Sequence, residues 1–196
     1  DSGAGAGAVT FTSTLDAIAT ETLGITAGTG DVTFTGQVGN TTPLGAVTIT
    51  SAATVLSSAT FKAASLLQSA GSVATTFNGA VTTTGAAGVA ITAAAINVNA
   101  AINATLAGVV SFTNTGALII AAAGDITPFS TFTQTGGGTV STAGDITTTN
   151  AAISFADPVT LTGDVAIDSG AGAGAVTFTS TLDATATATL GITGGT

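Results

Sequence analysis

The chain has 196 residues, of which Ala, Gly and Thr together make up 110, and its ten carboxylates face a single cation, Lys62. The formal net charge of −9 leaves no basic surface that could neutralise phosphates, so nucleic acid is excluded as a partner. Cys, His, Met, Trp and Tyr are all missing, which is not the composition of an average globular enzyme. Hydrophobic residues make up 45% of the chain and are spread along it, which predicts a folded protein rather than a disordered one.

Short segments that alternate apolar and polar residues recur from end to end. Seven of them are Val9–Phe11, Val32–Phe34, Val47–Ile49, Val110–Phe112, Val159–Leu161, Val165–Ile167 and Val176–Phe178. A period of two places Val, Phe and Ile on one face of a strand and Thr on the other. Many of these segments follow Gly-Ala or Gly-Asp, where Gly allows a positive φ and Asp can accept a hydrogen bond from the backbone two residues on. We therefore predict short strands that begin after tight turns.

The apolar positions of these strands form the predicted repeat core. Its members are Val9, Phe11, Val32, Phe34, Val47, Ile49, Phe112, Val165, Ile167, Val176 and Phe178. The remaining aromatic residues, Phe61, Phe77, Phe129, Phe132 and Phe155, are expected to stack in the same inward columns. Each fully buried side chain of this kind contributes roughly 1.5–3 kcal/mol, so many of them along one axis offset the ordering entropy without cross-links.

The spacing of the segments predicts the fold class. Val9 and Val32 stand 23 positions apart, Ile126 and Ile146 stand 20 apart, and Ile146 and Val165 stand 19 apart. Coils of about 20 residues with several short strands each are typical of an all-β, parallel β-solenoid, in which every coil stacks on its predecessor. A β-sandwich also has many short strands, but it does not explain a recurrence after 167 residues. The Gly-Ala run in positions 3–8 suggests silk-like sheets, but it is six residues long and gives way to bulky Val9 and Phe11.

The opening stretch of the chain returns almost unaltered at its end. The segment 168–196 matches the segment 1–29 at 26 of 29 positions with an offset of 167, and the differences are Ile18/Thr185, Glu21/Ala188 and Ala27/Gly194. The simplest interpretation is a single long repeat, residues 1–167, followed by the start of the next copy, residues 168–196. We expect residues 1–196 to form a single continuous solenoid segment.

One stretch leaves two interpretations open. In residues 51–72, apolar residues fall near helical spacing, so a short helix on the flank of the solenoid is one interpretation. Irregular coil with strands around Thr54–Leu56 and Thr60–Lys62 is the favoured one. Residues 84–107 are also rich in Ala, but Val, Ile and Asn alternate there and favour strands.

Catalysis and membrane insertion are not expected. Carboxylates are the only acid–base groups available, most of them lie in turn contexts, and a single Lys without Arg cannot stabilise an oxyanion by charge. No catalytic or cofactor-binding residue is therefore nominated. No run of about 18–20 continuous apolar residues is present, so a transmembrane helix is excluded.

Two surface features admit a binding role. Asp125, Asp145 and Asp164 each follow Gly, stand 20 and 19 positions apart, and could stack as a carboxylate ladder for calcium, although turn capping is the favoured interpretation. Outward Thr-x-Thr pairs resemble the ice-binding faces of some antifreeze proteins, although their spacing is irregular and the β-propensity of Thr accounts for them equally. The pairs are Thr10/Thr12, Thr33/Thr35, Thr48/Thr50, Thr113/Thr115, Thr131/Thr133 and Thr177/Thr179.

Several recurring phrases resemble a known family. Gly-Ala-Val-Thr-Phe-Thr (7–12 and 174–179), Gly-Asp-Val-Thr-Phe-Thr-Gly (30–36) and Gly-Asp-Ile-Thr (124–127 and 144–147) resemble the β-strand repeats of filamentous-haemagglutinin-like adhesins, which are very large bacterial surface proteins. The similarity covers essentially the whole chain. It implies a right-handed parallel β-helix, export to the cell surface, and a stalk, adhesive or matrix-fibre role.

The expected function follows from the recurrence and the resemblance together. It is a non-enzymatic extracellular structural polymer whose partner is itself, end to end or by continuation in the same chain, with lateral bundling in addition. The alternative is an adhesin or ice-binding module that uses an outward Thr-x-Thr face, and a cell-surface or glycan ligand belongs to that alternative.

Overall fold

The computed structural model describes residues 2–3, 5–185 and 187–195, and it confirms the predicted fold class. Twenty-two strands pair in parallel, each with strands of the neighbouring coils, and no helix occurs among the described residues. They form about eight coils of about 22 residues each, a right-handed β-solenoid with coils slightly longer than expected. The described part of the chain accordingly contains no helix long and apolar enough to cross a membrane.

Each coil has three sides, so the solenoid has three faces. Face 1 consists of β1 (Val9–Phe11), β3 (Val32–Phe34), the end of β4 (Leu44–Ser57), β6 (Gly71–Phe77), β9 (Ala95–Val98), β12 (Ala117–Ile120), β15 (Thr139–Thr142), β18 (Val159–Leu161) and β21 (Leu182–Ala184). Face 2 consists of Leu15, Val38, the start of β5 (Phe61–Gln68), β7 (Val81–Thr83), β10 (Ile102–Ala104), β13 (Ile126–Pro128), β16 (Ile146–Thr147), β19 (Val165–Asp168) and β22 (Leu190–Thr193). Face 3 consists of β2 (Leu23–Thr26), the start of β4, the end of β5, β8 (Val89–Ala93), β11 (Val110–Asn114), β14 (Phe132–Thr135), β17 (Ile153–Phe155) and β20 (Val176–Phe178).

The parallel register keeps like residues above one another. On face 1, Val32 pairs with Val9 in the coil below and with Val55 in the coil above, and the two steps along the chain are equally long. The step on the same face from Val140 to Val159 is shorter by four positions. Because the strands keep their register, the turns between faces absorb these differences in coil length.

The interior is a column of apolar side chains in which aromatic rings follow one another. Phe34 lies 5.1 Å from Phe11 and 5.4 Å from Phe61 between ring centroids, and Phe155 lies 5.2 Å from Phe132. These separations are within the range of favourable ring contacts. Of the nine Phe, six are completely buried: Phe34, Phe61, Phe77, Phe112, Phe132 and Phe155.

The expectation for Phe129 is wrong, because half of this side chain is exposed. Ile126 and Pro128 take the inward positions of β13, and the alternation of the strand then turns the next residue outward.

Residues 51–72 form strands rather than a helix. The end of β4, all of β5 and the start of β6 cover this stretch except for two short turns. Leu66 is buried while Leu67 is exposed, as alternation requires and as a helical stripe would not. Residues 84–107 include β8, β9 and β10, so the strand prediction there is confirmed.

Candidate functional surfaces

The predicted repeat core lies inside the solenoid, except where a coil above or below is missing. Seven of its members are buried: Val32, Phe34, Val47, Ile49, Phe112, Val165 and Ile167. Val9 and Phe11 in the first coil, and Val176 and Phe178 in the last complete one, point inward but are only partly buried. Their strands pair on one side only, so a neighbouring coil covers half of each side chain.

Each end of the solenoid is therefore an unpaired strand edge. In the described residues, β1 and β2 pair only with the coil above, and β20, β21 and β22 pair only with the coil below. Such edges present rows of backbone N–H and C=O groups that another strand can pair with.

The two copies of the recurring segment share two strands and a side-chain hydrogen bond among their described residues. The shared strands begin and end at equivalent positions, Val9–Phe11 and Val176–Phe178, and Leu23–Thr26 and Leu190–Thr193, whereas Leu15 forms only isolated bridges where the second copy has β21. One side-chain hydrogen bond also matches. The Ser2 hydroxyl donates to the Gly7 carbonyl at 2.5 Å, and the Ser169 hydroxyl donates to the Gly174 carbonyl at 2.6 Å.

The carboxylates nominated as a calcium alternative join one coil to the next instead. Asp125 accepts the Asp145 N–H at 2.9 Å, and Asp145 accepts the Ala166 N–H at 2.7 Å. Because Ile146 is level with Ile167, Asp164 lies two positions out of this row, so the three do not form one ladder. Among the described residues, no three acidic side chains come together as a metal site.

Asp164 contacts the last coil. Its carboxylate accepts the Thr189 hydroxyl at 2.8 Å and the Thr189 N–H at 2.9 Å. The hydroxyl first, and then the N–H, hold the pKa of Asp164 below its usual value. Asp31 makes the same pair of contacts with Thr54, so an Asp before a strand caps a Thr in the coil above.

Glu21 is one of the residues that differ between the copies, and it makes a local cap. The Ala19 N–H donates to its carboxylate at 2.8 Å and the Ile18 N–H at 2.9 Å. The hydrogen bond from Ala19 is the largest cause of a lowered pKa at Glu21, followed by the N–H of Glu21 itself. The second copy has Ala188 there, whose own N–H bonds the Thr185 carbonyl, so that turn needs no carboxylate.

A buried amide network is a structural feature that the sequence predictions missed. Gln134 is completely buried, and its amide nitrogen donates to Asn114 Oδ1 at 2.8 Å and to Asp157 Oδ2 at 2.7 Å. The network joins three successive coils, and the Gly137 N–H also donates to Asp157. The signal was the alternation itself, since Asn114 and Gln134 each stand two residues after an inward Phe.

Three consecutive glycines allow the chain to pass over this network. Gly136 and Gly137 have positive φ angles of 125° and 83°. A Cβ at Gly138 would overlap the Gly116 carbonyl oxygen of the coil below. These glycines therefore serve close backbone approach, and they belong to no calcium-binding repeat.

The Thr-x-Thr pairs do not share one face. Thr10 and Thr33 are level on face 1, whereas Thr48, Thr113, Thr133 and Thr177 lie on face 3. On face 1 the row continues outward with Leu56 rather than Thr. Within face 3, Thr113 and Thr135 are level in adjacent coils, and their hydroxyl oxygens lie 3.3 Å apart.

Two shallow depressions lie at the corners. The larger, about 280 Å³, is lined by Gly, Ala, Ser and Thr of residues 28–29, 51–52, 70–72, 92–94 and 115. The smaller, about 130 Å³, lies beside the exposed Phe129 at the corner between faces 2 and 3. Neither lining includes an ionisable side chain, so neither offers acid–base chemistry.

The chain was compared with protein-family models, curated proteins and solved structures. None of these matches it.

Proposed function

We propose that this chain is a repeat segment of a non-enzymatic, extracellular structural polymer, a β-solenoid fibre, stalk or matrix filament of the kind found on bacterial surfaces. The observation that carries the proposal is the recurrence of the segment 1–29 as the segment 168–196, at the opposite end of one continuous parallel solenoid. Both copies form the Val-Thr-Phe strand and the Leu-Gly-Ile-Thr strand, and both lie at edges that end unpaired in the described residues.

Stacked coils suit a load-bearing rod. Each coil contacts only its neighbours, so stability accumulates along the axis and the rod can be lengthened without redesigning a core. Two hydrogen bonds between Asp and Thr side chains join one coil to the next, at Asp31–Thr54 and Asp164–Thr189. Contacts of that kind stiffen the stack along its axis.

The test is electron microscopy of the native material and of chains lengthened by whole repeat periods. Each added period is expected to lengthen a rod of constant width by about 37 Å, since strands of adjacent coils are about 4.8 Å apart. Compact particles that do not lengthen with added periods would overturn the fibre. Thermal hysteresis in solution would instead favour the ice-binding alternative, and its absence together with rods would favour the fibre.

A further inference from the structure

The two copies of the recurring sequence lie on different faces of the solenoid. Val9–Phe11 belongs to face 1, whereas the identical Val176–Phe178 belongs to face 3. The other equivalent positions shift in the same direction. Leu15 lies on face 2, and its equivalent Leu182 lies on face 1. Leu23–Thr26 lies on face 3, and its equivalent Leu190–Thr193 lies on face 2. The second copy as a whole is displaced by one face.

The displacement follows from the length of the period. Eight steps along face 1 lead from Val9 to Leu182. One repeat period leads from Val9 only as far as Val176, which lies on face 3, one side before Leu182. Since eight three-sided coils have 24 sides, one period has 23 of them.

The upper and lower contacts of the recurring strand are both visible, each in a different copy. In the second copy, β20 pairs with Ile153–Phe155 of the coil below. In the first copy, β1 pairs with Val32–Phe34 of the coil above. These contacts use opposite edges of the strand, so one strand can make both at once.

The aromatic ring of the recurring strand also has one neighbour below and one above, each seen in a different copy. Phe178 stacks on Phe155 below it at 5.1 Å with planes 2° apart, and Phe11 stacks on Phe34 above it at 5.1 Å with planes 3° apart. Phe178 and Phe11 are the same residue of the repeat. At the end of the chain, the partly exposed Phe178 thus presents the ring surface that Phe11 presents to Phe34.

We propose that the edge formed by β20, β21 and β22 is the docking surface for residues 30–49 of the next copy in the same chain, and that each copy is turned by a third of a turn relative to the one before. This inference rests on the proposed function as a repeating fibre. The docking register is that of the first copy, in which Val9 pairs with Val32, Leu15 with Val38 and Leu23 with Val47. This segment fits the edge because residues 168–196, which form the edge, differ from residues 1–29 at only three of 29 positions.

The proposal gives the fibre a screw symmetry. Each copy rises about 37 Å and turns by one face, so the same residue returns to the same face after three copies, or about 110 Å. A side chain that lies at one corner of the solenoid in one copy then lies at the other two corners in the next two copies. Leu106, 69% exposed, and Phe129, 50% exposed, lie at the corner between faces 2 and 3, as does Ile18, which is 94% exposed.

The first test uses the chain as it is. Ser154 and Thr177 are level in adjacent strands of face 3, so the double variant Ser154→Cys/Thr177→Cys is expected to form a disulfide on mild oxidation. The matched control is the double variant Thr160→Cys/Thr177→Cys, which is expected to form no disulfide because Thr160 lies on face 1 and Thr177 on face 3. These two residues would be level only if the second copy of Val9–Phe11 also lay on face 1. A disulfide in the control and none in the first pair would overturn the displacement.

The second test uses a chain lengthened by one further period and by several. Cysteines at Thr177 and at the residue equivalent to Thr33 in the added copy are expected to crosslink. Aligned fibres are expected to diffract on an off-meridional layer line near a spacing of about 110 Å, which is three axial rises. Rods that lengthen but show only the single-copy repeat of about 37 Å would refute the rotation between copies, while the proposed fibre would remain supported. Chains that do not lengthen would overturn the proposed function itself.

Discussion

The substitution Phe132→Ala tests whether the aromatic column supports the solenoid. Phe132 is completely buried on face 3, with its ring 6.0 Å from Phe112 in the coil below and 5.2 Å from Phe155 in the coil above. Replacing a buried Phe by Ala removes its transfer free energy and leaves a cavity, which together cost about 3–5 kcal/mol. Because the ring contacts two other coils, the loss falls on both interfaces of its own coil.

Phe129 provides the matched control three residues away. Its side chain is 50% exposed, so Phe129→Ala removes about half as much burial and is expected to cost about 1 kcal/mol. Phe132→Leu keeps most of the apolar volume and is expected to cost less than about 1.5 kcal/mol.

The measurement is guanidinium unfolding of the three variants and the parent chain, followed by circular dichroism. The expected order of destabilisation is Phe132→Ala first, with the other two variants well behind. Equal losses for Phe132→Ala and Phe129→Ala would refute the reasoning, because burial in the column would then not determine the stability. A biphasic transition for Phe132→Ala alone would show that the substitution uncouples parts of the stack.

Three further outcomes follow from particular contacts. The pKa of Asp164 is lowered in the folded state, so its contribution to stability is fully present above its ordinary pKa and is lost as the pH falls through the folded pKa. Thr189→Val removes the hydroxyl donor and should raise the folded pKa of Asp164 in an NMR titration, and an unchanged pKa would contradict the hydrogen bond. Gly79→Ala would press a Cβ into the backbone of the preceding coil and should lower the free energy of unfolding by about 1–3 kcal/mol, whereas Gly24→Ala meets open space and should not; equal denaturation midpoints would refute this. Gln134→Leu removes the amide that donates to Asn114 Oδ1, which is buried, and to Asp157, which keeps the Gly137 N–H; it should cost about 1–3 kcal/mol in the same assay, and an unchanged midpoint would contradict a stabilising role of the network.

Alternation along the chain was enough to place most of the strands and much of the interior. A side chain's direction in a strand depends only on its position in a period of two, which is a local property. The strands Val32–Phe34, Val110–Phe112 and Val159–Leu161 are therefore where the sequence predicts them. Phe129 departs from the prediction because its position, one residue after the inward Pro128, decides its direction and its aromatic character does not.

Contacts between coils could not be predicted in this way. Asp145 was expected to bond the backbone two residues on, as Asp168 does with the Gly170 N–H at 2.8 Å. Instead it accepts the N–H of Ala166, which belongs to the next coil. Which group lies above a carboxylate depends on the length of the whole coil between them, and that length varies with each turn.

The sequence by itself determined that the chain is a stack of parallel β-coils and that its end begins the same pattern again. Only the tertiary structure decided that each coil has three sides and that the second copy of Val9–Phe11 lies on face 3 rather than face 1. The physical reason is that alternation and recurrence are written along the chain, whereas a face is assigned by the sum of all turn lengths between two strands. The repeat period is one side short of eight coils, and no local pattern records that difference.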